Sequence, residues 1–111
     1  MNKGYQLIFY TEQNRTHHHQ PIGDWLLELV RSLKIRGATL TTGIEGIGHD
    51  HRVHLVHFFD VTEQPVVVTM VVSEEECTRV LACIRGEVDL QLFYVKIPVE
   101  FGSIGDDDNG N

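Results

Sequence analysis

The stretch VVVTMVVS, Val66 to Ser73, constrains the fold more than any other part of the chain. Alternate side chains of an extended strand point to opposite faces, so Val66, Val68, Met70 and Val72 share one face while Val67, Thr69 and Val71 share the other. Both sets are largely apolar, and a strand of that kind has to be covered twice. The stretch YQLIFYT, Tyr5 to Thr11, repeats the pattern, with Tyr5, Leu7 and Phe9 set against Gln6, Ile8 and Tyr10. The rest of the chain therefore has to supply amphipathic helices for one face, and any face left over falls to another molecule.

Two helices are legible. In PIGDWLLELVRSL, the residues Ile22, Leu26, Leu29, Val30 and Leu33 form one stripe, Pro21 is tolerated at the start, and Lys34, Arg36 and Gly37 mark the end. SEEECTRVLACIRG opens with a capping box from Ser73 to Glu76, carries three glutamates that complement the helix N-terminus, buries Cys77, Val80, Leu81 and Ile84, and stops near Gly86. Ala38–Gly43 reads as a short strand, RVHLVHFF as extended, and Leu90–Phe101 as the last strand, with Pro98 marking an edge or an end. The order strand, helix, strand, strand, helix, strand predicts an α+β, ferredoxin-like βαββαβ sandwich with an antiparallel sheet and both helices on one face. Residues 1–102 make this single domain, and 103–111 read as a disordered acidic tail.

Two helices cover one sheet face, which leaves the second for another subunit. Burying ~800 Å² per partner at ~25 cal/mol per Å² gives a gross gain of roughly 20 kcal/mol before the costs of association, so an obligate oligomer is expected. The formal charge of −7, from nine Lys plus Arg against sixteen Asp plus Glu, argues against nucleic acid or an anionic membrane surface as partner. No run approaches the ~18 apolar residues of a membrane span, and the first residues turn polar too soon for a signal peptide, so no membrane insertion and a cytoplasmic location are expected. Cys77 and Cys83, roughly 9 Å apart on one helix, are too distant to bridge.

The segment GIEGIGHDHRVH, Gly43 to His54, gathers glycines, histidines and an arginine that could build a metal cup, a phosphate cradle or a signalling loop. Its setting, KIRGATLTTGIEGIG, is a helix end, a glycine, a Thr-bearing strand and a G-x-x-G-x-G turn, and it resembles PII signalling proteins. Together with YTEQNRTHHHQPI, RVH at Arg52–His54 and PVVVTMVVSEEE, it is more similar to the PII-like domain-of-unknown-function family, over about Tyr5 to Val99. The resemblance implies a PII-like homotrimer that binds a small effector, typically an adenine nucleotide (AMP, ADP or ATP), in clefts between subunits. It also implies a mobile loop, Ile44 to Pro65, acting on a partner protein; the partner class in view is a membrane transporter or channel. The place of the glycine- and lysine-rich phosphate loop of PII proteins is taken by IRGEVDLQ, which keeps Gly86 and Arg85 but adds Glu87 and Asp89, which repel phosphate.

Read with that resemblance, the ligand-contacting set is Glu12, Arg15, Gly37, Thr39, Gly43, Gly46, Gly48, Arg52, His54 and Arg85. Arg52, just after the glycine turn, is the leading anion contact, because its planar fork can pair a phosphate that backbone N–H groups also face. Glu12 could accept a hydrogen bond from a ribose hydroxyl or an amino group. No metal site is assigned, since no histidine spacing fits a known finger. The alternative function is nevertheless a trimeric divalent-metal-binding protein resembling the CutA family, with His49, His51, His54 and His57 as ligands. The run His17 to His19 is expected to cap the first helix or face solvent. No catalytic constellation stands out, so a binding protein rather than an enzyme is expected.

Overall fold

A computed structural model describes residues 2–43, 45–47, 53–55 and 64–105. In chain order the elements are β1 (Asn2–Glu12), β2 (Thr16–His17), β3 (Gln20–Pro21), α1 (Ile22–Ser32), β4 (Thr39–Thr42), β5 (Glu45–Ile47), β6 (Val53–Leu55), β7 (Pro65–Ser73), α2 (Glu74–Arg85) and β8 (Phe93–Phe101). The main sheet has the order β4-β7-β1-β8, and every neighbouring pair runs antiparallel. The four strands of the main sheet and the two helices thus follow in the expected order strand, helix, strand, strand, helix, strand, and β2–β3 and β5–β6 are small separate ladders. Residues 38–43 and 90–101 contain strands shorter than predicted, and the extended stretch after the glycines includes β6.

The two-sided reading of the apolar strand accounts for the core. Val66, Val68, Met70 and Val72 are buried with Leu7 and Phe9, and Ile22, Leu26 and Val30 of α1 and Cys77, Val80 and Leu81 of α2 cover them. Ile84, Leu29 and Leu33 are only partly buried, at the margins of their stripes. Directly opposed residues of an antiparallel ladder share a face. The register therefore puts Val67, Thr69 and Val71 of β7, Gln6, Ile8 and Tyr10 of β1, and Phe93, Val95 and Ile97 of β8 together on the face away from the helices. Within a single chain that face is open: Tyr10, Val71, Phe93 and Ile97 are all exposed, Phe93 by 68%.

Candidate functional site

One end of the sheet gathers the ends of β1 and β4 and the beginnings of β7 and β8. Glu12 stands opposite Pro65 in the β1–β7 ladder. The Gly43 N–H donates to the Pro65 carbonyl at 2.8 Å, so Glu12 and Gly43 flank the same residue from the two strands beside β7. Beyond Gly43 the glycine-rich segment continues as the β5–β6 ladder, in which Gly46 pairs with His54. A turn after β1, in which the Arg15 N–H donates to the Glu12 carbonyl at 3.1 Å, brings Arg15 to the same end. Its guanidinium donates to the Gln91 carbonyl at 2.6 Å, which ties the loop after β1 to the loop before β8.

This geometry brings together Glu12, Arg15 and Gly43 of the sequence-derived set, while Gly46 and His54 pair with each other in the separate ladder that follows Gly43 in the chain. Gly37 and Thr39 sit at the other end of β4, exposed, and Thr39 is about 13 Å along the strand from Gly43. Arg85 lies in the last turn of α2 and donates to the Tyr94 hydroxyl at 3.2 Å. Gly48 and Arg52 fall outside the described residues, as do His49, His51 and His57.

Of the two expectations for the histidine run, facing solvent holds for His18 and His19, which are exposed, and capping the first helix does not. α1 is preceded by Pro21 and has no side-chain cap, so none of the three histidines caps it. Instead β2 and β3 form a miniature hairpin, His17 opposite Gln20, whose two turn residues His18 and His19 both have positive φ, 51° and 67°. Two left-handed residues in a two-residue loop is the type I′ pattern, which favours Asn-Gly and costs a branched or bulky residue on the order of 1–2 kcal/mol per position. The hairpin carries His17 and His18 against Glu87 in the loop after α2, with both Nε2 atoms on the same carboxylate oxygen at 2.8 and 2.9 Å. The His17 side chain is only 10% exposed and meets Trp25 of α1 edge-on, ring centroids 4.8 Å apart. These contacts with His17 and His18 hold the Glu87 carboxyl below the usual carboxylate range. The glutamate that the sequence presents as a repeller of phosphate is thus engaged by two imidazoles. The sequence signal was the H-H pair itself, but its partner lies 70 residues away and local pattern gives no hint of it.

A surface depression of about 310 Å³ lies elsewhere, at the start of β1 and the end of β8, lined by Lys3, Tyr5, Glu74, Pro98 and Glu100 among others. None of the sequence-derived residues borders it. It is shallow and open, and the converging loops at the far end of the sheet are the better candidate.

Compared with known protein families, residues 4–97 match DUF190, described as "Uncharacterized ACR". No curated protein shows a significant match to the chain.

Proposed function

The chain belongs to the DUF190 family, whose match runs from Gly4 in β1 to Ile97 in β8 and includes both helices, and from that premise we propose that it is a PII-like regulatory protein that binds a small anionic effector, an adenine nucleotide, between subunits. The observation that carries this reading is the convergence of Glu12, Arg15 and Gly43 at one sheet end, where the glycine-rich segment begins, next to an apolar face that a single chain leaves uncovered. A second subunit on that face would bring its own side chains toward the same end and turn an open edge into a cleft. Arg15 and backbone N–H groups of the glycine segment supply donors, and Glu12 supplies an acceptor for the neutral part of a nucleotide. Binding then acts by favouring one arrangement of the segment from Ile44 to Pro65, which presents or hides a surface for a partner such as a membrane transporter or channel.

The net charge of −7 gives anions no long-range attraction, so affinity rests on short-range pairing and falls in the micromolar range or weaker. Titration calorimetry with AMP, ADP, ATP and cyclic nucleotides, run beside light scattering, tests the reading. Arg52→Ala should weaken binding by roughly 10- to 150-fold, the loss of a charge-assisted bond worth about 1.5–3 kcal/mol, with the oligomer intact. Absence of binding by every nucleotide rejects the effector, and a monomer in scattering rejects the cleft.

A further inference from the structure

The His17, His18 and Glu87 cluster is not used by the nucleotide reading and stands independently of it. We infer that these three side chains form a binding site for a divalent transition-metal cation, Zn²⁺ being the best fit. One ring nitrogen of His17, one ring nitrogen of His18 and a Glu87 carboxylate oxygen all lie within 4.8 Å of one another. Ligands around a tetrahedral zinc, at about 2.0–2.1 Å from the ion, stand roughly 3.3 Å apart. The two nitrogen-to-oxygen separations, 2.8 and 2.9 Å, need to open by only about half an ångström for an ion to replace the hydrogen bonds.

The donor chemistry fits as well. Two imidazoles and one carboxylate are the borderline nitrogen and hard oxygen donors that zinc accepts, and they place one negative charge beside the ion. Both rings present Nε2 to the shared oxygen, so binding needs the Nδ1–H tautomer in each ring and no rotation of the hairpin. Trp25 fixes the His17 ring from one side. Glu87 comes from the other loop, which Arg15 holds in place through the Gln91 carbonyl. The ligands therefore arrive from two segments that are already tied together, which lowers the ordering cost of binding. Three protein ligands leave a fourth position for water on the His18 side, where that side chain is 65% exposed and the ion can enter.

The test separates this site from the histidines of the glycine-rich segment. Full-length protein carrying His49, His51, His54 and His57→Asn is stripped with chelator, dialysed and titrated with zinc by calorimetry. It should bind one zinc per chain, and adding His18→Asn or Glu87→Gln should weaken that binding by about 10- to 100-fold or more. His18→Asn suits the left-handed turn and Glu87→Gln keeps the size of the side chain, so both variants retain the fold by circular dichroism. Cobalt in place of zinc should give the intense visible absorption of a tetrahedral site, lost in either variant. Failure of the four-histidine variant to bind zinc overturns the proposal, as does zinc binding that neither His18→Asn nor Glu87→Gln weakens.

Discussion

At Gly4 the sheet leaves no room for a side chain. A Cβ there would stand 1.9 Å from the Val72 carbonyl oxygen and 3.0 Å from a ring atom of Phe101, and the first of these is backbone that cannot swing aside. Gly4→Ala should therefore force β1 and β7 apart and lower stability by about 1–3 kcal/mol, read as a lower urea midpoint with an unchanged slope. An unchanged midpoint would mean that β1 is not packed against β7 at Gly4. The two cysteines differ in a way that labelling can read. Cys77 is 2% exposed and burial pushes its thiol pKa up, against the opposing influence of Lys96 and Arg85, while Cys83 is only partly buried. Iodoacetamide should alkylate Cys83 well before Cys77 in the native protein, with the sites resolved by peptide mass spectrometry; equal rates would contradict the packing of α2. Cys77 was legible in the sequence because its neighbours in the helical stripe are close in the chain. His17 was not, because what it meets is Trp25 together with a glutamate from the loop after the second helix, and only the assembled topology brings that glutamate near.

Elements were legible to the extent that local chemistry defined their ends. The capping box of α2 needs only Ser73 and Glu76, and both of its bonds form: the Glu76 N–H donates to Ser73 Oγ at 3.1 Å and the Ser73 N–H to the Glu76 carboxylate at 2.9 Å. Ser73→Ala should cost about 0.5–2 kcal/mol, whereas Glu76→Gln, which can still accept from the Ser73 N–H, should cost much less. Thermal or urea unfolding of the pair checks both, and equal losses would show that charge rather than the reciprocal bonds fixes the helix start. α1 has no such device; its entry is set by the hairpin before it, where the Ile22 N–H donates to the Arg15 carbonyl at 3.0 Å. The start of β8 was misplaced for a related reason. Leu90 and Leu92 alternate with Gln91 as in a strand, but both pack against the core from a loop whose Gln91 carbonyl is taken by the Arg15 side chain. Periodicity sees burial in such a loop, and the hydrogen bond that keeps it from pairing is a tertiary contact. The glycine-rich segment shows the same limit in the candidate site. Gly43 follows the end of β4 as its sequence suggests, yet the Gly46–His54 pairing in a ladder of its own joins residues eight apart, which the glycine pattern alone does not specify.

For the whole molecule the question is what covers the second face of the sheet. The edges discourage a partner from adding strands: β4 is four residues long, and β8 carries Lys96, Pro98 and Glu100 along its length. The face itself offers Val71, Ile97, Phe93 and Tyr10, and the rings of the last two meet at a tilt with centroids 5.7 Å apart. A surface of this composition favours association through the flat of the sheet, and a threefold arrangement would bury it while leaving the loops at the Glu12 and Gly43 end near a neighbour's. Val71 is the informative position, because it is 42% exposed and pairs with Gln6 on β1, so its side chain touches none of the helix-facing core. Val71→Glu would set an unpaired carboxylate in each subunit contact at a cost of the order of 3–5 kcal/mol apiece, which weakens each contact by roughly 150- to 5,000-fold. Light scattering should then show the mass falling toward that of one chain, with the far-ultraviolet circular dichroism unchanged because the helix-covered core is untouched. Nucleotide binding should fall in step with the mass if the cleft needs two subunits, whereas zinc binding at His17, His18 and Glu87, which all lie within one chain, should persist in the monomer. A variant that kept its mass would place the contact elsewhere, and the open face would then need a different occupant.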